Sequence, residues 1–346
     1  MANEKKRTPE RISLAHGAGG SVMEEIITLI SNVITEKNVS KGIGLKELDD
    51  GGTIPLQDYE IVFAGDAHAV QPIFYPGGNI GKLAISGTVN DILMMGAKPL
   101  AIADTIVVEE GFETTKLRQI LESMNETAKE ARIAIIAGDF KVVPKGNIDQ
   151  ILISTFGIGM VKRNKLILDS GLKPGDKIII TGSVGDHGIA IMAHREGIEF
   201  ETALESDTAP LVEPIEAALA AGRITAMKDP TRGGIAAALN EFAKKSNVSI
   251  WLEENKIPIK EPVKAASEML GIDPFEVTCE GKALIGVVGE DADRVLQAVK
   301  KTKYGHDAAI IGTVKSDRPG MVILKTKVGG HRIIDVPYGE PIPRVC

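Results

Sequence analysis

The sequence predicts an α/β protein in two domains, on three observations. The chain has 346 residues, more than a single hydrophobic core usually organises. Short β-branched apolar runs alternate with segments of helical periodicity from residue 61 onward. A charged stretch containing a Pro-Gly turn, KRNKLILDSGLKPGD at 162–176, separates two such sets and marks the expected boundary.

Residues 1–40 combine a charged leader, MANEKKRTPER, the glycine-rich LAHGAGG and an amphipathic helix from Ser21 to Lys37. Ser21 followed by Glu24 three residues on has the spacing of a capping box. Residues 41–161 form the first α/β domain: strand IVFAG at 61–65, helix 81–96, a strand over 100–108, helix 114–131, and strands at 133–138 and 151–161. Residues 162–335 form the second, which opens on strand KIIITG. Helices follow after Gly188, from Pro210 to Ala221 and from Gly233 to Lys245; then come strands VSIWL and KALIGVVG and a helix over 291–302. The last runs, AAIIGTV, GMVIL and HRIIDV, lie close enough in sequence to pair antiparallel. Residues 336–346 are a tail whose prolines at 337, 341 and 343 forbid helix and favour a flexible, extended arm. No internal repeat or low-complexity tract interrupts this order. Aromatic residues are only 4% of the chain, so Ile, Val, Leu and Ala must build both cores.

Composition excludes several functions. The net charge is −7 and the lysines and arginines are dispersed, which leaves no electrostatic footprint for nucleic acid or an anionic membrane. No apolar run approaches the roughly 18 residues of a membrane span, and no apolar signal core follows the charged leader, so a cytoplasmic location is expected. Two cysteines, Cys279 and Cys346, make neither a zinc site nor a disulfide framework. Cys346 is the last residue, and prenylation needs three residues beyond the cysteine. A passive thiol gains nothing at an exposed end where it invites oxidation, so Cys346 is a candidate for chemistry.

Aspartates recur where strands end or helices begin: Asp49 and Asp50 in LDDGG, Asp66 in AGDAH, Asp91 in VNDIL, Asp139 in AGDFK and Asp229 in KDPTRGG. Capping and turn formation are the ordinary uses of such residues. Several of them in glycine-flanked junctions also suit a hard cation that works through a few carboxylates and substrate phosphates, as magnesium does with ATP. Glycine-rich stretches accompany them at 16–20, 76–82, 181–188 and 230–234, where backbone N–H groups could approach phosphate. None of these is a Walker loop or a strand-anchored GxGxxG. Lys82 and Lys141 follow glycine-containing motifs and could meet phosphates or remain solvated. His187 in GDHG and Glu280 in CEGK are candidates for acid, base or substrate anchor, against a buried hydrogen-bonded histidine and a capping glutamate. Cys279, ending FEVTC, reads as a small core residue.

Taken together, LAHGAGG, LDDGGTIPL, PIFYPGGNIGKLAISGTVNDILMMGAKPL, EEGF, AGDFKVV, TGSVGDHGIA, MKDPTRGG, EGK and the terminal PRVC resemble the HypE family of [NiFe]-hydrogenase maturation proteins. That family lies in the superfamily of aminoimidazole ribonucleotide synthetase and selenophosphate synthetase. The resemblance runs nearly end to end and is most specific over 72–100 and at the terminus. It implies a two-domain PurM-like fold: an N-terminal domain that dimerises through its β-strands, a C-terminal α/β domain with a mixed sheet, and ATP in the cleft between domains near the dimer interface. It also implies that a carbamoyltransferase, HypF, loads Cys346, that ATP-dependent dehydration turns the thiocarboxamide into a thiocyanate, and that cyanide passes to iron on a HypC–HypD complex. By the same resemblance Asp50, Asp66, Asp91 and Asp229 bind Mg2+, while Lys82, Lys141, Asp139, Asn90, Gly19 and Gly20 bind the nucleotide. Cys346 carries the reacting group, with Glu280 and His187 beside it. The sequence departs from the family pattern at Ala64 and Gly65, where threonine is usual, at Phe140 in place of threonine, and at Cys279 in place of asparagine. A selenophosphate synthetase needs a reactive residue in the first glycine-rich loop, which HGAGG lacks, and a purine-pathway synthetase leaves PRVC without a purpose. A non-catalytic carrier presenting Cys346 is the alternative from another class, and it would turn over no ATP.

Overall fold

The computed structural model describes residues 10–17, 19–198, 203–339, 342 and 344–346. Most of the charged leader, Ala18 of the glycine-rich loop, and Pro341 and Pro343 of the tail lie outside the described residues. In chain order the first half contains α1 (Gly20–Val33), β1 (Gly52–Leu56), β2 (Tyr59–His68), the two-residue strands β3 (Phe74–Tyr75) and β4 (Gly78–Asn79), α2 (Ile80–Met94), β5 (Lys98–Glu109), α3 (Thr114–Glu130), β6 (Ala134–Val143) and β7 (Ile151–Lys162). The second contains β8 (Lys177–Ile180), α4 (Asp186–Glu196), α5 (Val212–Ala221), β9 (Ile224–Lys228), α6 (Gly234–Lys245), β10 (Ser249–Glu253), α7 (Glu261–Leu270), β11 (Leu284–Val287), α8 (Ala292–Val299), β12 (Ala309–Lys315), β13 (Val322–Lys325) and β14 (His331–Ile334). Among the described residues no helix is long and apolar enough to cross a membrane.

Two sheets organise these elements. The first has the order β1-β2-β7-β5-β6, antiparallel except for β5 with β6. The second is mixed, in the order β14-β13-β10-β12-β8-β11-β9, with β10 and β13 its parallel pair. Of the three late runs, β13 and β14 pair antiparallel as expected. β12 does not join them, because β10 inserts between β12 and β13.

Helix α2 sits between the halves, against β2 and β7 on one side and β9 and α5 on the other. That position explains why nearly every residue of IGKLAISGTVNDILM is buried, polar ones included. Burial of Ile85, Ile92 and Leu93 contributes roughly 1.5–3 kcal/mol each. Two glycines of β7 permit the close approach: a β-carbon on Gly157 would lie 2.6 Å from Ile92, and one on Gly159 would lie 2.3 Å from it. The opposite face of the sheet is bare and apolar, with Phe63, Phe156, Met160 and Leu100 exposed. Cross-strand pairing sets Gly65 against Phe156 on that face. The edge strand β6 adds Ile136, Phe140 and Val142, also exposed.

Helix α1 departs from expectation. It begins at Gly20 with Gly19 as N-cap and no side-chain cap, so the capping box at Ser21 does not form. Its first amides are satisfied by the other end of the chain: the Ser21 and Val22 N–H groups donate to the carbonyls of Pro337 and Tyr338, at 2.9 and 3.3 Å. The helix ends at Val33 rather than Lys37, where Ile34 turns extended. Strands β1 and β9, the β3–β4 hairpin and helix α7 were not expected from the sequence.

Candidate active site

The C-terminal residues lie against the body of the protein. Strand β2 runs on into Ala69–Gln71, and this segment receives the tail in antiparallel fashion, with the Ala69 N–H donating to the Cys346 carbonyl at 3.4 Å and the Gln71 N–H to the Arg344 carbonyl at 3.1 Å. Ile342 and Val345 are buried, Ile342 packing over α4 at Gly188. Two buried aliphatic side chains, worth roughly 1.5–3 kcal/mol each, stand against an ordering cost of roughly 1–2 kcal/mol per residue. Over the residues of the tail the ordering cost exceeds what these two side chains supply, so polar contacts decide whether the tail docks. His187 supplies one of them. Its Nε2 lies 2.6 Å from the Val345 carbonyl, which can only accept, so Nε2 carries the proton. Its Nδ1 then accepts from the Ser206 hydroxyl at 2.7 Å. Burial holds the imidazole below its ordinary pKa, against the opposing charge of Asp207. His187 was expected as an acid or base near the reacting group. A substrate anchor was the other expectation, and both ring nitrogens are engaged, Nε2 with the tail itself.

A cleft of carboxylates opens where the tail ends. Asp66, on β2, accepts from Thr88 Oγ1 of α2 at 2.9 Å. Asp91, on α2, is held well above the usual carboxylate range first by burial and then by the charges of Asp66, Asp229 and Asp50, and Asp229, after β9, by burial and then Asp50 and Asp66, against Lys228. Asp50 is raised by burial too, against the opposing charge of Lys228, whose Nζ lies 2.5 Å from it. Glu280 is raised well above its ordinary value by burial and by Asp229, Asp207 and Asp66, with Arg232 acting the other way. Arg232 is itself within electrostatic reach of Cys346, Asp66, Glu280 and Asp91. Two buried polar atoms here, Glu280 Oε1 and His68 Nε2, have no hydrogen-bond partner among the described residues. No group of three or more His, Cys, Asp or Glu among the described residues is arranged to hold a metal ion.

The remaining candidates are dispersed. Asn90 sits beside the cleft, but its amide is committed: Nδ2 donates to the Ala209 carbonyl at 3.1 Å and Oδ1 accepts from the Leu211 N–H at 2.9 Å. It ties α2 to the segment before α5. Lys82 donates to the Gly77 carbonyl at 2.9 Å, and burial lowers its pKa. Asp139 and Lys141 pair with each other at 3.0 Å on the exposed β6, apart from the cleft carboxylates. Gly19 and Gly20 adopt φ of 78° and 70°, and a β-carbon on Gly20 would lie 2.2 Å from the Pro337 carbonyl oxygen, so this loop packs on the root of the tail. Cys279 is fully buried, as expected of a core residue, its sulfur accepting from the Gly185 N–H at 3.2 Å. Sequence reasoning passed over Arg232 and His68, though both stand inside quoted motifs, PTRGG and AGDAH. It also missed Lys228, whose ammonium burial would lower, but which Asp50, Glu241 and Asp169 hold well above its ordinary value.

Two α/β halves, a shared buried helix and an acidic cleft between them define a class, and family comparison gives the same one. Residues 48–161 match the AIR synthase related protein N-terminal domain, and residues 173–325 its C-terminal domain. Within that class the chain is 43% identical to carbamoyl dehydratase HypE of Rhizobium leguminosarum, across 97% of this chain and 95% of that one. A solved HypE–HypF complex contains a chain with a TM-score of 0.84 and 41% identity, covering 92% of this chain and all of that one. A hydrogenase maturation protein HypE solved with ATP has a TM-score of 0.81 and 35% identity, covering 96% of this chain and all of that one. The chain belongs to the HypE family of carbamoyl dehydratases, enzymes of hydrogenase maturation, and the carrier alternative is set aside.

Proposed function

We propose that this protein dehydrates a carbamoyl group carried on its own Cys346, at the expense of ATP, to leave a thiocyanate that supplies cyanide for a hydrogenase iron. The observation that carries the reading is the convergence on Arg232: the tail's last residue, Glu280 and the carboxylates Asp66 and Asp91 all lie within electrostatic reach of one guanidinium. A carbamoyl group offers two N–H donors and one carbonyl acceptor, a set matched to the unpaired Glu280 Oε1 and His68 Nε2. The amide oxygen cannot leave as hydroxide, and the terminal phosphoryl group of the nucleotide converts it into a phosphate that can. Asp50, Asp66, Asp91 and Asp229 would hold Mg2+. A cage of three carboxylates is not needed, because magnesium binds through one or two of them plus substrate phosphates. The mutual repulsion that raises Asp91 and Asp229 is what a bound cation relieves.

Two protons must leave nitrogen as the nitrile forms. Glu280 is the base. A carboxyl raised by burial is a stronger proton acceptor once ionised, and Arg232 favours the ionised form. Lys82, Lys141, Asp139, Asn90, Gly19 and Gly20 remain assigned to the nucleotide, with Lys141 and Asp139 entering from the exposed edge strand when two copies pair through the outer sheet face. HypF is the carbamoyl donor, supported by the family's solved complex with it, and a HypC–HypD complex is the cyanide acceptor. The experiment is mass spectrometry of the tail of carbamoylated protein given Mg2+ and ATP. The tail should lose the mass of one water only when nucleotide is present. Cys346→Ala should carry no modification, and Glu280→Gln should accumulate the carbamoylated form. An unchanged tail mass with nucleotide present would defeat the proposal.

A further inference from the structure

We infer that Arg195, near the end of α4, is the positioning residue that latches the tail in the cleft, and that Asp149 sets how readily the latch opens. Its consequence for catalysis rests on the proposed role of Cys346. Arg195 donates from Nε to the Gln71 carbonyl and from Nη2 to the Arg344 carbonyl, both at 2.5 Å. One guanidinium on the second half of the chain therefore binds the tail and the segment on which the tail pairs. The rigid fork of arginine suits two acceptors at once in a way lysine does not. Both acceptors are backbone atoms, so the contact is indifferent to the chemical state of the sulfur. A free, carbamoylated or nitrile-bearing end can occupy the same seat.

A thiol that is loaded by a partner protein and then docked needs a seat it can leave, and a second arginine provides for that. Burial pushes Arg195 down, and the neighbouring positive charge of Arg344 pushes it further. Arg344 is compensated from its other side, its Nη2 lying 2.6 Å from Asp149 Oδ2 and its Nη1 donating to Gln71 Oε1 at 2.7 Å. Asp149 stands in the loop between β6 and β7 with its side chain 45% exposed. A surface carboxylate thus compensates Arg344, while Glu196 acts on Arg195, and loss of Asp149 leaves Arg344 less compensated beside Arg195. Arg344 also adopts φ of 60°, a left-handed backbone that a non-glycine residue keeps only when its surroundings enforce it. The docked and released states are separated by these few contacts, which a docking partner can outweigh.

The test is the rate at which N-ethylmaleimide labels Cys346 in the full chain, without nucleotide or partner, read by mass spectrometry. The buried Cys279 reports unfolding in the same sample. Arg195→Gln removes two charge-assisted hydrogen bonds and should speed Cys346 labelling by about tenfold or more. Arg195→Lys should fall between it and the native protein. Asp149→Asn, at an exposed pair, should give a smaller rise of about two- to threefold. An unchanged Cys346 rate in Arg195→Gln overturns the latch. If that variant also exposes Cys279, Asp149→Asn decides instead, acceleration supporting the latch and no change overturning it. The reagent needs neither ATP nor a carbamoyl donor, so the outcome is independent of whether the dehydration occurs.

Discussion

Asp91 and Asp139 stand in similar glycine- or asparagine-flanked motifs and reach opposite surroundings. Asp91 is half-buried on α2, where desolvation and then neighbouring carboxylates push its pKa up. Asp139 lies exposed on β6, where its partner Lys141 and the Phe140 N–H hold it below the usual carboxylate range. The cleft is built from both halves of one chain, with its charges unresolved in a buried space. The edge strand has its charges resolved and its apolar side chains bare: Ile136, Phe140 and Val142 are 70%, 51% and 59% exposed. One region gathers carboxylates around Lys228 and Arg232, and the other leaves an apolar strand exposed. A long, exposed, apolar edge invites another chain, and the pairing of two copies in the proposed function would supply one.

The larger effect is expected at the edge. Phe140→Glu puts a charge into the surface proposed to pair and should weaken self-association by about thirtyfold or more, moving the protein to a monomer in analytical ultracentrifugation. Asp91→Asn, in the cleft, should leave the sedimenting mass unchanged. An unaltered mass in Phe140→Glu would remove the edge strand from the account and leave Asp139 and Lys141 as solvated surface residues.

The smaller effect is in the cleft's pH dependence. Asp169, beside the Lys228 cluster, is pushed up to about 7, first by burial and then by Asp49, against Lys228 and Lys245. The folded state therefore holds this proton more tightly than the unfolded chain, whose carboxyls titrate near about 4. Stability is greatest below that lower value and falls as pH rises towards about 7. Asp91 and Asp229 act in the same direction. Thermal midpoints of metal-free protein should fall across this window, and Asp169→Asn should flatten part of the slope. A midpoint that rises with pH would show the sign to be wrong.

Much of the fold was legible because its signals are local. The β-branched runs of β2, β5, β7 and β12 and the helical periods of α2, α3 and α6 declare themselves within ten or fifteen residues. Strand β9, five residues of mixed character, carries no such period, and α7 is only ten residues long with Val263, Ala266 and Ser267 buried. Ser21 has the spacing of a cap and does not act as one, because the carbonyls of Pro337 and Tyr338 meet those amides first. The site divides the same way. Asp66, Asp91, Asp229 and Glu280 stood out in short motifs and Cys346 by its terminal position, and the fold brings them near one another. Arg232, His68 and Arg195 did not stand out, because their importance lies in what the fold sets opposite them. The packing role of Asn90, whose amide ties α2 to the segment before α5, was not legible either.

The most direct measurement of the chemistry follows one atom. Protein carrying a heavy-oxygen label in the carbamoyl group of Cys346 is given ATP and Mg2+, and the released phosphate and the tail are weighed. Label in inorganic phosphate, matched by nitrile on the tail, is the predicted result. A nitrile formed while the phosphate stays unlabelled would mean that the oxygen leaves by another route, and would contradict the account.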